Sequence, residues 1–256
     1  MDNIEKIKKL KEEKNAIILA HYYVDEEVQK IADYIGDSFY LAKVVSQTEA
    51  DRIVFAGVEF MGESAKILNP NKKVLMPDAF ADCPMAHMIT IKEIKEMREK
   101  YDDLAVVCYI NSTAEIKQYA DVCVTSSNAV KIVKALPQKN IFFIPDQNLG
   151  DFVRRQVPEK NVMTNYGHCP RHTNITLDKL NEVKQKYPEA KIAVHPECKR
   201  EIVEAADFVG STSAIIDYVV QTNAKDFIIG TVDGVFAKIK ELAPNKNLHT
   251  IMDVQV

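Results

Sequence analysis

The chain has 256 residues, 46% hydrophobic and 27% charged, and its 33 basic and 37 acidic side chains give a net charge of −4. That length suits one or two ordinary domains, and the near balance of charge argues against the basic footprint of a nucleic-acid binder. No apolar run approaches the ~20 residues a membrane helix needs, and five scattered cysteines are no secreted disulfide framework, so a cytoplasmic protein is expected.

In chain order, "MDNIEKIKKLKEEK" reads as a charged surface helix leading into the strand "AIILAHYY". The strand-like runs "RIVFAGVEF" and "KVLMPD" follow, then a loop carrying Cys83 in "DCPMAH". The amphipathic stretch "TIKEIKEMREKY" leads to a second set, "AVVCYIN", "DVCVTSSN" and "IFFIPDQN", and a second Cys-Pro loop with Cys169 in "GHCPRH". Another amphipathic stretch, "TLDKLNEVKQKY", opens a third set, "KIAVHPEC", "DFVGSTS" and "FIIGTVDG". Apolar runs alternating with amphipathic helices are the signature of βαβ units and parallel sheets covered on both faces.

The sets repeat. Aligning their first strands stacks His21, Tyr109 and His195, spaced 88 and 86 residues apart, and two positions on it stacks Tyr23, Asn111 and Glu197. Ser126 lies 17 residues after Tyr109, and Thr212 lies 17 after His195. Such a period predicts an α/β fold of three similar αβα domains of about 85 residues with parallel sheets. Their boundaries are expected at 1–88, 89–174 and 175–256, the last with room for missing C-terminal structure. Because open α/β sheets bind ligands beyond the carboxyl ends of their strands, the polar strand ends of three facing domains are expected to build one central site.

Cys108 and Cys123, inside apolar runs, read as small buried hydrophobes, and Cys198, closing "HPEC", is open between packing and site. Met61 and Met85 read as core or pocket wall, and His249, outside every motif, as a surface residue. Cys83 and Cys169 differ, because each lies on a loop and precedes a proline that keeps the loop out of regular structure. Thiolates so placed point to a soft metal, and with no CxxC pair an iron–sulfur centre fits better than a zinc finger.

Across nearly its whole length the chain resembles the quinolinate synthase family. The resemblance rests on "AHYY", "IADYIGDSFYLA", "GVEFMGESAKIL", "PDAFADCPMA", "YINSTAEIKQYAD", "VTSSNAV", "PDQNLG", "HCPRH", "HPEC" and "VGSTSAII". It implies pseudo-threefold symmetry around the central site and a [4Fe–4S] cluster held by one cysteine per domain, with one iron open to substrate. The implied reaction, part of NAD biosynthesis, condenses iminoaspartate with dihydroxyacetone phosphate to give quinolinate, phosphate and water. An aspartate-oxidising enzyme that supplies iminoaspartate is the partner this chemistry suggests; nucleic acid and membrane are not expected. By motif, Cys83 and Cys169 match cluster ligands, and Tyr23, Tyr109, His195 and Glu197 match catalytic positions. His21, Ser38, Asn111, Ser126, His172, Ser211 and Thr212 match substrate-binding positions.

The sequence departs from the family at several points. The repeat places a third cluster cysteine near position 255, and none is present; the gap reads as a truncated chain or a changed centre. Gln147, His168, Arg171, Lys199 and Val232 also replace usual family residues. The alternatives are therefore a divergent metal-assisted aldolase or dehydratase acting on another phosphorylated small molecule, and a cluster-less binding protein.

Overall fold

The computed structural model describes residues 2–251, in two compact units, 1–83 and 84–256. The first unit runs α1 (Asn3–Glu13), β1 (Ala16–His21), α2 (Glu26–Gln29), β2 (Tyr34–Gly36), α3 (Ser38–Gln47), β3 (Arg52–Ala56), α4 (Glu59–Leu68) and β4 (Lys73–Leu75). All pairs in its sheet are parallel, in the order β2-β1-β3-β4. α1 and β1 are the helix and strand expected at the start of the chain.

The second unit begins with a 3-10 turn at Pro84–His87 and holds two further αβα layers. One runs α5 (Ile91–Lys100), β5 (Leu104–Tyr109), α6 (Ala114–Lys117), β6 (Val122–Val124), α7 (Ala129–Ala135), β7 (Asn140–Ile144), α8 (Gln147–Gln156) and β8 (Asn161–Thr164). The other follows as α9 (Pro170–Thr173), α10 (Leu177–Lys186), β9 (Lys191–Val194), α11 (Arg200–Ala205) and β10 (Phe208–Val209). It ends with α12 (Thr212–Gln221), β11 (Asp226–Gly230), α13 (Val235–Leu242) and β12 (Asn247–Thr250). Their sheets, β6-β5-β7-β8 and β10-β9-β11-β12, repeat the strand order of the first. The three similar αβα units read from the sequence are thus present.

Each αβα layer has four strands where three are expected, and the first expected set is out of step with the others. The equivalent of "DVCV" and "DFVG" in the first unit is β2, not "RIVFA", which is β3 and matches β7 and β11. Ser38 also lies 17 residues after His21, completing the series with Ser126 and Thr212. The misplacement has a physical cause. Every residue of β5 is buried, whereas β2 is a three-residue edge strand whose first residue, Tyr34, is exposed. β8 and β12 are edges too, with too little apolar alternation to stand out as strands. Cys83 and Cys169 consequently follow the fourth strand of their units, β4 and β8, rather than the third.

The repeat extends to polar braces absent from any hydrophobicity pattern. Asp33, Asp121 and Asp207 each accept the backbone N–H of a central strand, from Ile18 at 2.8 Å, Val106 at 2.7 Å and Ile192 at 2.8 Å. Each is also met by a cation, Lys11, Arg98 and Lys191 respectively. Lys72, Lys160 and Lys246, again at the repeat spacing, donate to the carbonyls that end the helix before β3, β7 and β11, at Thr48, Leu136 and Thr222. A cation there meets the negative end of the helix and its unpaired carbonyls. Helix starts are set by side-chain caps: Asp37, Thr113, Asp146, Thr176 and Ser211, and the reciprocal Thr90–Glu93 box of α5.

Several smaller expectations change. Met61 and Met85 are buried, as read. Cys108 is buried in the cluster around Ile94, Val106 and Phe142, but Cys123 is exposed, because β6 is an edge strand. His249 is no ordinary surface residue: it sits on β12, stacks on Tyr187 with ring centroids 3.4 Å apart, and pairs with Asp226. Among the described residues no helix is long and apolar enough to cross a membrane. The expected third-cysteine position near 255 lies outside the described residues.

Candidate active site

In the second unit, strands β5 and β9 deliver Tyr109 and His195 at their carboxyl ends, and the turn after β9 delivers Glu197. Glu197 is buried and forms the hub. Its Oε1 accepts from Tyr109 Oη at 2.7 Å, and its Oε2 lies 2.7 Å from His172 Nδ1 and 3.7 Å from His195 Nδ1. Burial alone would raise this carboxyl. His195 and His172 beside it, with the hydrogen bonds from His172 and Tyr109, outweigh burial and hold it well below the usual carboxylate range. Glu197 is therefore an ionised acceptor between two donors.

The histidines extend the chain on both sides. Glu197 N lies 3.3 Å from His195 Nδ1, and His195 Nε2 lies 3.2 Å from Ser126 Oγ. The rings of His172 and His195 stack with centroids 4.9 Å apart. His172 Nδ1 lies 3.1 Å from Cys169 Sγ and its Nε2 3.2 Å from Thr231 Oγ1. Ser126, His195, Glu197, Tyr109, His172 and Cys169 thus form one connected polar path, drawn from two αβα layers.

The expected residues outside this path occupy other strand-end positions. Asn111 follows β5, and its Oδ1 is buried without a hydrogen-bond partner, as is Oγ1 of nearby Thr125 after β6. Orphaned acceptors of this kind cost about 1–3 kcal/mol each unless a ligand or water meets them. Ser211 caps α12 and Thr212 is its buried first residue, the position Ser38 takes in α3. In the first unit, His21 ends β1, and Tyr23 N donates to its Nδ1 at 3.2 Å, the same turn that His195 makes with Glu197. The His21 and Tyr23 rings meet edge to face at 4.4 Å. Cys83 ends that unit, half-buried, its N–H bonded to Asp82 Oδ1 at 2.7 Å.

Three residues that hold the path in place were not given roles from the sequence. Asn148 Nδ2 donates to the Glu197 carbonyl at 3.0 Å, and the buried Thr231 hydroxyl meets His172. Asp146 is buried and accepts Leu149 N at 2.7 Å and Cys169 N at 3.1 Å, tying the start of α8 to the Cys169 loop. Burial, then the Glu197 charge, pushes its carboxyl well above the ordinary value. "PDQNLG" and "GTVDG" contain these residues, and their recurrence at strand ends was the available signal. Cys198, left open above, packs: it is buried with Sγ 3.5 Å from the Gly230 carbonyl, and burial followed by the Glu197 charge raises its thiol beyond the reactive range.

The Cys169 loop leaves no room for a side chain at Gly167, where a Cβ would lie 2.2 Å from the Pro145 carbonyl oxygen. Gly167→Ala is expected to cost about 1–3 kcal/mol, as overpacking against fixed backbone does. A thermal melt lowered by several degrees checks this; an unchanged melting temperature contradicts it.

The donor atoms also bear on a metal. Cys169, His172 and Glu197 each offer one ligand atom, all within 4.8 Å of one another. A half-buried thiol on a loop is the soft ligand an iron or zinc centre uses. The nitrogen and carboxylate bond to each other, and Cys169 is the one soft donor of the three. The chemistry of these donors fits a thiolate-held metal.

Comparison with known proteins agrees. The NadA family profile, described as quinolinate synthetase A protein, matches residues 5–256. The quinolinate synthase of Fusobacterium nucleatum is 60% identical over 245 residues, which cover 96% of this chain and 82% of the relative. That of Sulfurihydrogenibium sp. is 54% identical over 244 residues, 95% of this chain and 79% of the relative. That of Aquifex aeolicus is 52% identical over 242 residues, 94% and 75%. With a family profile spanning all but its first residues and relatives this similar along most of their length, the chain belongs to the quinolinate synthetase A family.

Proposed function

We propose that the chain makes quinolinate from iminoaspartate and dihydroxyacetone phosphate, releasing phosphate and water. The observation that carries this is the Glu197 hub, with Tyr109 and His172 on its two oxygens and a thiol 3.1 Å from the same histidine. Joining the two substrates and losing water requires protons to be taken from carbon and delivered to departing oxygen. Groups in hydrogen-bond reach of the reacting atoms must do this.

Tyr109 donates its hydrogen bond to Glu197 and keeps oxygen lone pairs for a substrate donor. Tyr109 Oη and His172 Nδ1 both lie 2.7 Å from the Glu197 carboxylate, so both can hold a proton beside it. Ser126, held by His195, and the hydroxyls of Ser211 and Thr212 suit phosphate or carboxylate oxygens. Asn111 Oδ1 suits a substrate N–H or O–H. By motif, His21, Tyr23 and Ser38 take corresponding roles from the first unit.

Cys169 and, by motif, Cys83 are the thiolates that would hold an iron–sulfur cluster. When bound, such a cluster supplies a Lewis-acidic iron. An imine substrate hydrolyses readily, so a separate aspartate-oxidising enzyme supplies it. Free cysteines support a cytoplasmic setting.

Anaerobically prepared protein is expected to contain iron and sulfide, to absorb broadly near ~400 nm, and to form quinolinate from these two substrates. Colourless, metal-free protein under those conditions overturns the cluster assignment. Turnover of other phosphorylated carbonyl compounds with no quinolinate overturns the activity in favour of an aldolase or dehydratase.

A further inference from the structure

The unexpected exposure of Cys123 has a counterpart directly beside it. In the parallel pair β5–β6, Cys108 and Cys123 are registered Cα partners, which sets their side chains next to each other, and the Cys108 thiol also reaches the Tyr109 carbonyl at 3.4 Å. Registered residues of parallel neighbours project to the same face of the sheet. Adjacent strands run about 4.8 Å apart, inside the ~4.4–6.8 Å Cα separation of disulfides. β6 is a three-residue edge strand, so it can shift to bring the sulfurs into bonding distance. One thiol is exposed and the other fully buried, the division of labour of an attacking and a resolving cysteine.

We propose that Cys123 and Cys108 form a redox-active dithiol that reacts with low-molecular-weight disulfides and closes a cross-strand disulfide beside Tyr109. The Cys123 thiolate attacks one sulfur of the small disulfide, forming a mixed disulfide and releasing one small thiolate. Cys108 sulfur then attacks Cys123 sulfur, expelling the second small thiolate, which leaves as a thiol with the proton Cys108 gives up. Two protein thiols are oxidised and one small disulfide is reduced to two thiols.

The electrostatics support this order. A hydrogen bond from Cys108, then the charge of Lys117, outweigh partial burial and lower the Cys123 thiol to about 7. The hydrogen bond to Cys123, burial and the Cys123 charge raise Cys108. Capping Cys123 removes that neighbouring charge and so eases ionisation of Cys108 at the moment it must attack. The bond would lie one residue from Tyr109, whose hydroxyl holds Glu197.

The test treats anaerobically purified full-length protein with oxidised glutathione and maps its peptides by mass spectrometry. The expected product is a Cys108–Cys123 linked peptide, reversed by dithiothreitol. Cys108→Ala should stop at a glutathione adduct on Cys123, and Cys123→Ser should leave Cys108 unmodified. Iodoacetamide should label Cys123 at a rate that rises with pH and is half-maximal near about 7. A stable glutathione adduct on Cys123 of the unaltered protein, or reaction confined to Cys83 and Cys169, overturns the proposal. If Cys108→Ala fails to fold, the peptide map of the unaltered protein decides alone.

Discussion

Glu197→Gln is expected to lower kcat for quinolinate formation by roughly 10²–10⁴-fold, the contribution of positioned proton-transfer groups. Glutamine keeps the shape of the hub. Its carbonyl can accept from His172, and its amide can donate to Tyr109 Oη, so both contacts at 2.7 Å survive in altered polarity. The negative charge that His172 and His195 stabilise is lost, however, and Tyr109 changes from donor to acceptor. Its own proton is then no longer held on the hub. Folding should be little affected, because an ionised buried group is replaced by a neutral one that still finds partners. Steady-state kinetics with a parallel thermal melt separate the two effects. A kcat within about threefold of the unaltered enzyme would show that Glu197 handles no proton in the slow step.

Cys169→Ser is expected to abolish iron–sulfur absorption and bring quinolinate formation to background. Serine nearly preserves size and the N–H bond to Asp146, but its hydroxyl is a hard, weakly acidic donor that does not replace a thiolate on iron. The control is Cys198→Ala. Cys198 is buried, with its thiol raised by burial, so its loss should leave iron content unchanged and cost only packing. Iron and sulfide analysis of both variants reads the difference directly. Equal iron in Cys169→Ser and the unaltered protein would remove Cys169 from the ligand set.

Candidate residues for the site are legible in the sequence; their wiring is not. Tyr109 and Glu197 are 88 residues apart, and no pattern in the chain says that one hydroxyl meets the other's carboxylate. The sequence reading placed Tyr109 and Glu197 among the acid–base residues. The structure shows Glu197 as a strongly ionised acceptor that organises its neighbours, because two histidines overcome the effect of its burial. Thr231, Asn148 and Asp146 went without roles because each acts on another residue, and support of that kind leaves no spacing rule. Cys123 was misread for a related reason. "DVCV" carries the composition of a buried strand, but exposure depends on whether another strand lies beyond it.

What the sequence alone determined was three of the four strands of each αβα layer, the amphipathic helices that open the layers, the repeat and the family motifs. All of these are local or periodic: strands covered on both faces must be apolar throughout, and helices over them must be amphipathic. Tertiary structure alone decided the edge strands β2, β8 and β12, the face that leaves Cys123 in solvent beside buried Cys108, and the convergence of two histidines, a tyrosine and a thiol on Glu197. Edge strands are defined by the partner they pair with, and a buried carboxylate by the donors that surround it. Both are relations between distant parts of the chain, which come into existence only on folding.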